Sequence, residues 1–123
     1  QENIDAAKLP QTIDLKVGRA ADLLRALPED TEAFDFIFID ADKQSYPEYL
    51  ELSLNLSHSG TIIVLDNVIR SGAILDQNNV KPSIEGIRQM FEALSNHPRI
   101  LSCTALQTVG SKGHDGFALA IVK

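Results

Sequence analysis

The chain reads as an α/β protein with a mostly parallel sheet, and three observations lead there. Two apolar runs of strand length, 34–39 and 61–65, alternate with stretches of helical period. Both runs stop abruptly at a carboxylate, Asp40 and Asp66. The last two strand candidates, 99–109 and 117–122, are joined by a glycine-rich segment with no room for a crossover helix, so they pair antiparallel as a hairpin.

The elements follow in order. Residues 1–7 read as the last turns of a helix that closes before Pro10. In 12–17, Ile13, Leu15 and Val17 share one face, which predicts a short strand ended by Gly18. Residues 20–27 form a short helix stopped by Pro28, and 28–33 an acidic loop. The near-continuous apolar run 34–39 has the character of a parallel strand covered on both faces. Tyr49, Leu50, Leu52, Leu54 and Leu56 give 46–56 the apolar face of a helix, and 57–60 is a turn. Strand 61–65 follows, then a long loop, 68–81, rich in Asn, Asp and Gly; loops of that length are often functional. Ile84, Ile87, Met90, Phe91 and Leu94 fall at helical spacing in 82–96. No repeat, low-complexity segment or linker interrupts 1–123, which reads as one domain.

The composition excludes several classes. Hydrophobic residues make up 44% and charged residues 23% of 123, an ordinary globular balance. The net charge of −6 and 11 scattered basic residues argue against nucleic acid, whose phosphates demand clustered Lys and Arg. The longest strongly apolar stretch is about seven residues, far below the ~20 that span a bilayer, so no membrane partner is expected. No signal-peptide pattern opens the sequence. The single cysteine, Cys103, permits neither an internal disulfide nor a cysteine zinc site, and a cytoplasmic setting is expected. Cys103 falls inside a strand and is expected in the core. Asn55-Leu56-Ser57 fits a glycosylation sequon by chance.

The acidic strand ends carry the chemistry. The carboxyl ends of strands in an open α/β sheet form the ligand crevice. If the two strands are neighbours, Asp40, Asp66 and Asn67 point hard oxygen atoms into one place, which suits a divalent cation such as magnesium, calcium or manganese. Singly, each has a plainer reading: Asp40 as a helix N-cap, Asp66-Asn67 as turn chemistry. Lys43 reads either as an ordinary solvated lysine or as a general base, since a cation nearby disfavours the ammonium form by like charge. Asp40-Ala41-Asp42 superficially matches an aspartyl-phosphate phosphatase nucleophile, but Lys43 and Gln44 follow where a small residue belongs. Gly110, Gly113 and Gly116 precede a strand and not a helix, so they are turn residues and no phosphate cradle. His58, His97 and His114 sit in three separate turns without metal-ligand spacing; the first two read as solvated.

Taken together, Phe-Ile-Asp-Ala-Asp-Lys (38–43), Val-Leu-Asp-Asn-Val-Ile-Arg-Ser-Gly (64–72) and Gly-His-Asp-Gly-Phe-Ala-Leu-Ala (113–120) closely resemble the cation-dependent O-methyltransferases. This group includes the caffeoyl-CoA and catechol O-methyltransferases. The resemblance runs the length of the chain and implies a Rossmann-like S-adenosylmethionine methyltransferase fold. It implies metal ligation by Asp40, Asp66 and Asn67, and catalysis by Lys43 beside Asp40. It further implies cofactor contacts at Gly18, Ala20 and Ala21, where the family's turn holds the adenine, and at Asp40 and Ala41. Arg19 departs from the acidic residue of many bacterial relatives. The family's glycine-rich loop and ribose-holding acid lie before the point where Gln1 begins, so the chain reads as the carboxyl-terminal part of such an enzyme, and 1–123 alone is expected not to bind the methyl donor.

The implied reaction moves a methyl group from S-adenosylmethionine to a hydroxyl of a catechol-like small molecule, in a homodimer. A rival from another class is a non-catalytic metal-binding module; an aspartyl-phosphate-type phosphatase is a more distant one. The 68–81 loop and the 110–116 turn are expected to flank the crevice.

Overall fold

Four apolar strands form one sheet of order β1-β2-β4-β3 in the computed structural model, which describes residues 4, 6, 13–111 and 113–123. The strands are β1 (Phe34–Ile39), β2 (Ser57–Asp66), β3 (Ile100–Gly110) and β4 (Gly113–Val122). β1 and β2 are parallel, with Ile39 opposite Leu65, while β4 runs antiparallel to both β2 and β3. The sequence therefore placed the two acid-tipped strands side by side and the hairpin correctly.

Within residues 13–111, three helices accompany the sheet: α1 (Ala20–Arg25), α2 (Tyr46–Asn55) and α3 (Pro82–Asn96). Prolines in the first turns of α2 and α3 start those helices with a pre-set backbone. Tyr49, Leu50 and Leu54 of α2 and Ile87, Met90 and Leu94 of α3 join Ile63 and Leu65 of β2 and Ala118, Ala120 and Val122 of β4 in one buried core. β4 alternates buried and half-buried residues along its length, as a strand with one covered face must. Arg99 ties the helix layer to the sheet by donating to the carbonyls of Leu54 and Ser57.

Several expectations need correction. Residues 13–17 belong to no strand and are exposed, Val17 to 88%. Alternation alone does not make a strand; ladder partners do, and none of the described strands pairs with this segment. Among the described residues β1 is not covered on both faces: Phe34, Phe36 and Phe38 are exposed, and β1 is the outermost of the four described strands. Cys103 is exposed and not core, because it lies on β3, the opposite edge. Residues 57–60 are assigned to β2, although the β1–β2 register slips between Phe34 and Phe36. Thr61 secures that irregularity, its hydroxyl donating to the Phe34 carbonyl and accepting from the His58 amide. The 110–116 turn shrinks, since β3 and β4 pair as far as Gly110 and Gly113. A 3-10 turn, Arg70–Leu75, occupies part of the 68–81 loop. His97 is half-buried, its Nδ1 accepting from the Arg99 amide at 3.1 Å. Ile4 and Ala6 are helical, and the rest of the 1–7 helix lies outside the described residues, as does Thr12.

Candidate functional site

Parallel pairing of β1 and β2 puts Asp40, one residue past Ile39, beside Asp66 at the end of β2. The chain after Asp40 tightens into a 3-10 turn, Lys43–Ser45, that leads directly into α2. This folds Lys43 back, so that its Nζ lies 2.8 Å from Asp40 Oδ1 while its side chain is only 10% exposed.

Tyr46 braces the corner. Its fully buried hydroxyl donates to the Asp66 carbonyl oxygen at 2.6 Å, with the Ile39 carbonyl oxygen 3.2 Å away. One side chain thus touches the ends of both strands. Its ring also lies under Lys43 Nζ, 4.8 Å from ring centre to nitrogen. Burial pushes the Tyr46 phenol far up, the charges of Asp40, Asp66 and Asp115 add to this, and Arg70 opposes it. The phenol stays a proton donor throughout the physiological range.

Beyond Asp66 the backbone takes the left-handed region at Asn67, φ 56°, and the Asn67 amide donates back to Asp66 Oδ1 at 2.7 Å. Asn tolerates this region better than most residues, and the turn keeps Asn67 next to Asp66 at the end of β2. Arg70, Ser71 and Gly72 are left-handed as well, with φ of 53°, 54° and 82°. Asp115 stabilises this costly backbone. Its Oδ1 accepts from the amides of Ile69, Arg70 and Gly116, at 3.1, 3.1 and 3.0 Å. Val68 N donates to the Gly116 carbonyl at 2.9 Å, so the loop after β2 is fastened to the start of β4.

Two glycines let the corner close. A Cβ on Gly116 would meet the Leu106 carbonyl oxygen at 2.2 Å and Ile69 Cγ1 at 2.7 Å. A Cβ on Gly86, within α3, would meet the Lys43 carbonyl oxygen at 2.3 Å and Gln44 Cα at 2.6 Å. α3 therefore presses its backbone against the turn that carries Lys43. Arg88, one residue pair further along α3, donates to the carbonyls of Ile74, Asn79 and Asp76, at 3.0, 3.0 and 2.6 Å, and holds the loop over the helix.

Two recesses flank the corner. One, of about 630 Å³, lies along β1 and is lined by Ala20, Leu24, Phe38, Asp40, Ala41 and Tyr49 among others. It collects three of the five residues expected at the cofactor. Ala21 is instead fully buried in the core, and Gly18 is not part of the lining. The other recess, of about 660 Å³, lies beyond Asn67 and is polar, with Arg70, Ser71, Thr108 and His114 on its wall.

Other singled-out residues go elsewhere. Asp42 accepts from the Tyr49 hydroxyl at 2.6 Å, and Ser45 with Tyr49 holds its carboxyl below the usual range, so it serves the turn and α2. Arg19 bridges α1 to α2 by pairing with Asp22 and Glu48, each at 3.5 Å. His58 is exposed beside Asp35. Tyr46, Gly86, Arg88 and Asp115 were not identified as site-building residues from sequence. For Gly86 the signal was present: a glycine inside a helix costs stability and marks a close approach.

No cluster of three or more His, Cys, Asp or Glu side chains able to hold a metal occurs among the described residues. Asp40, Asp66 and Asn67 could offer two carboxylates and one amide oxygen, hard-oxygen donors of the kind that suits magnesium, calcium or manganese. No helix among the described residues is long and apolar enough to cross a membrane.

Comparison with known proteins agrees with this architecture. The family model described as O-methyltransferase matches residues 1–120. A catechol O-methyltransferase of Niastella koreensis is 48% identical over 100% of this chain and 56% of its own length. A catechol O-methyltransferase of Mycobacterium tuberculosis is 40% identical over 98% of this chain and 53% of its own length. The crystal structure of an O-methyltransferase from Bacillus cereus in complex with SAH superposes with a TM-score of 0.94 at 49% identity, covering 99% of this chain and 56% of that one. The chain thus spans about half the length of the relatives it matches.

Proposed function

The chain belongs to the O-methyltransferase family, and from that premise we propose that it supplies the acceptor and metal corner of an S-adenosylmethionine-dependent enzyme that methylates a hydroxyl of a catechol-like small molecule. The observation that carries this reading is the convergence of Asp40, Asp66 and Lys43 at the ends of two adjacent parallel strands. The names of the similar proteins support the reaction class and the acceptor.

The family resemblance suggests the roles, and the placement of the residues supports them. Asp40, Asp66 and Asn67 would hold a divalent cation through oxygen, leaving further positions for an acceptor. Bound there, the cation supplies Lewis-acid polarisation of the acceptor hydroxyls. Lys43, tethered to Asp40 at 2.8 Å and walled by the Tyr46 ring, would take the proton from the reacting hydroxyl. S-adenosylmethionine, when bound, would supply an electrophilic methyl carbon on a sulfonium, so that the oxygen's pair would form the new bond as the carbon–sulfur pair returned to sulfur. Ala20, Asp40 and Ala41 would face the methyl donor from the recess along β1. Tyr46 fixes the two strand ends, so that positioning supplies a large part of the rate. A homodimer and a cytoplasmic setting belong to the same proposal and rest on the family resemblance.

Calorimetric titration of the chain with magnesium or manganese tests the corner. Binding with the native chain and none with Asp66→Ala is expected; equal binding by both would remove the metal assignment. Transfer of labelled methyl to a catechol by the protein as the cell makes it tests the reaction, and separates it from the non-catalytic metal-binding reading.

A further inference from the structure

Arg70 is the one arginine among the described residues whose guanidinium has no hydrogen bond or ion pair. Arg19 and Arg25 pair with Glu48, Arg88 with loop carbonyls and Glu85, and Arg99 with the carbonyls of Leu54 and Ser57. Each of those arginines has a plain structural task. Arg70 has none, yet its position is expensive. Its own backbone is left-handed at φ 53°, the two residues after it are left-handed too, and an Asp115 carboxylate oxygen is committed to its amide at 3.1 Å. Left-handed conformations at non-glycine residues persist where the surroundings over-determine them, and they gather at functional sites.

Arg70 lines the polar recess beside Asn67, together with Thr108 and His114 of the hairpin. An acceptor whose hydroxyls sit at the corner of Asp40, Asp66 and Asn67 would extend its remainder into this recess. Among the described residues, the other ionisable group with a fixed charge on that wall is Asp115, and its Oδ1 already accepts three amides. What these residues offer is one unpartnered planar cation. A guanidinium matches a carboxylate in charge and in its two-pronged geometry. A phosphate dianion ordinarily draws several cationic donors, and among the described residues Arg70 is the one lysine or arginine on this wall.

We propose that Arg70 recognises a carboxylate on the methyl acceptor, so that the preferred acceptor is a catechol bearing an acidic side group. This rests on the catechol reading of the corner and adds the class of acceptor to it. Arg70 contributes to the choice of acceptor and takes no part in moving the proton or the methyl group.

The test compares 3,4-dihydroxyphenylacetate with its amide, because the methylene insulates the ring and keeps the acidity of the two hydroxyls alike. Binding of each to the chain is measured by calorimetry in magnesium. The acid is expected to bind at least about 10-fold more tightly than the amide, the size of a hydrogen bond to a charged group. Arg70→Gln should bring the two to parity by weakening the acid alone. Arg70→Lys, which keeps the charge and loses the fork, should retain part of the preference. Equal affinity of the native chain for acid and amide overturns the inference while leaving the catechol site intact. So does a preference that survives Arg70→Gln, or a loss that falls equally on both compounds, which marks a structural role. Failure of both compounds to bind the native chain overturns the catechol reading and this inference with it.

Discussion

Gly86→Ala probes the least expected contact in the structure. The new methyl carbon would stand 2.3 Å from the Lys43 carbonyl oxygen, 2.6 Å from Gln44 Cα and 2.9 Å from the Gln44 carbonyl carbon. All three are backbone atoms, so no side-chain rotation relieves the clash. Ordinary contact needs about 3.5 Å, so the Lys43–Ser45 turn and α3 must separate by roughly 1 Å. Overpacking of this kind costs about 1–3 kcal/mol, against a gain of about 1 kcal/mol from replacing glycine inside a helix. The expected net is a destabilisation of about 1 kcal/mol, and a melting temperature lower by about 3–6 °C for a domain of this size. Gln89→Ala, at an exposed position three residues along the same helix, is the control and should stay within about 0.5 kcal/mol of the native chain. Urea denaturation gives the energies, and amide spectra at Lys43 and Gln44 report the displacement. In the active protein the same shift should lower turnover by about 10²-fold through misplacement of Lys43. A Gly86→Ala chain as stable as the native one, with Lys43 and Gln44 resonances unmoved, would refute the packing argument.

Lys43→Met should preserve the fold and magnesium binding while lowering turnover by about 10²–10⁴-fold, measured at saturating metal and donor; near-normal turnover would exclude Lys43 as the base. Tyr46→Phe removes the only side-chain donor to the Asp66 carbonyl among the described residues and should cost about 1–3 kcal/mol in urea denaturation. His58 is held above its ordinary value of 6.5 by the Ser59 carbonyl and by Asp35. A raised folded value means that the pair favours the folded chain below the unfolded value and that this contribution disappears as pH rises through the folded one. Proton NMR titration should show the His58 value falling in Asp35→Asn; no change would assign the shift to the Ser59 contact alone.

Much of the fold was legible because its signals are local. The runs 34–39 and 61–65 are apolar throughout, and that suffices to name β1 and β2 and to place their acidic tips on one side of the sheet. The helices at Tyr46 and Pro82 announced themselves by proline and period. The failures share a physical cause: they depend on partners distant in sequence. Residues 13–17 alternate like a strand but acquire no ladder. Phe34, Phe36 and Phe38 look like buried residues and stand exposed because the described residues leave that face of β1 largely uncovered. Cys103 has the setting of a core residue, and only the strand order reveals that it is not one. At the corner, the oxygen atoms were visible in the sequence, whereas their supports were not. Nothing in the letters around Tyr46 or Asp115 says that one hydroxyl reaches two strand ends, or that one carboxylate gathers three amides.

The strand order also governs the sequence of events in folding. β4 sits between β2 and β3, so β3 has no place in the sheet until β4 has docked. The pairing of Leu65 with Ala118 closes a loop of more than fifty residues, an entropic barrier that contacts within β1, α2 and β2 do not face. The β1–β2 pair can assemble first, and the open side of β2 then waits for the hairpin. The backbone after Asp66 is fastened only when Asp115 and Gly116 arrive with β4. Ordering of the segment after Asp66 therefore comes late: a chain arrested before the hairpin would keep the ends of β1 and β2 braced by Tyr46, while residues 68–72 lack the anchor that Asp115 and Gly116 provide.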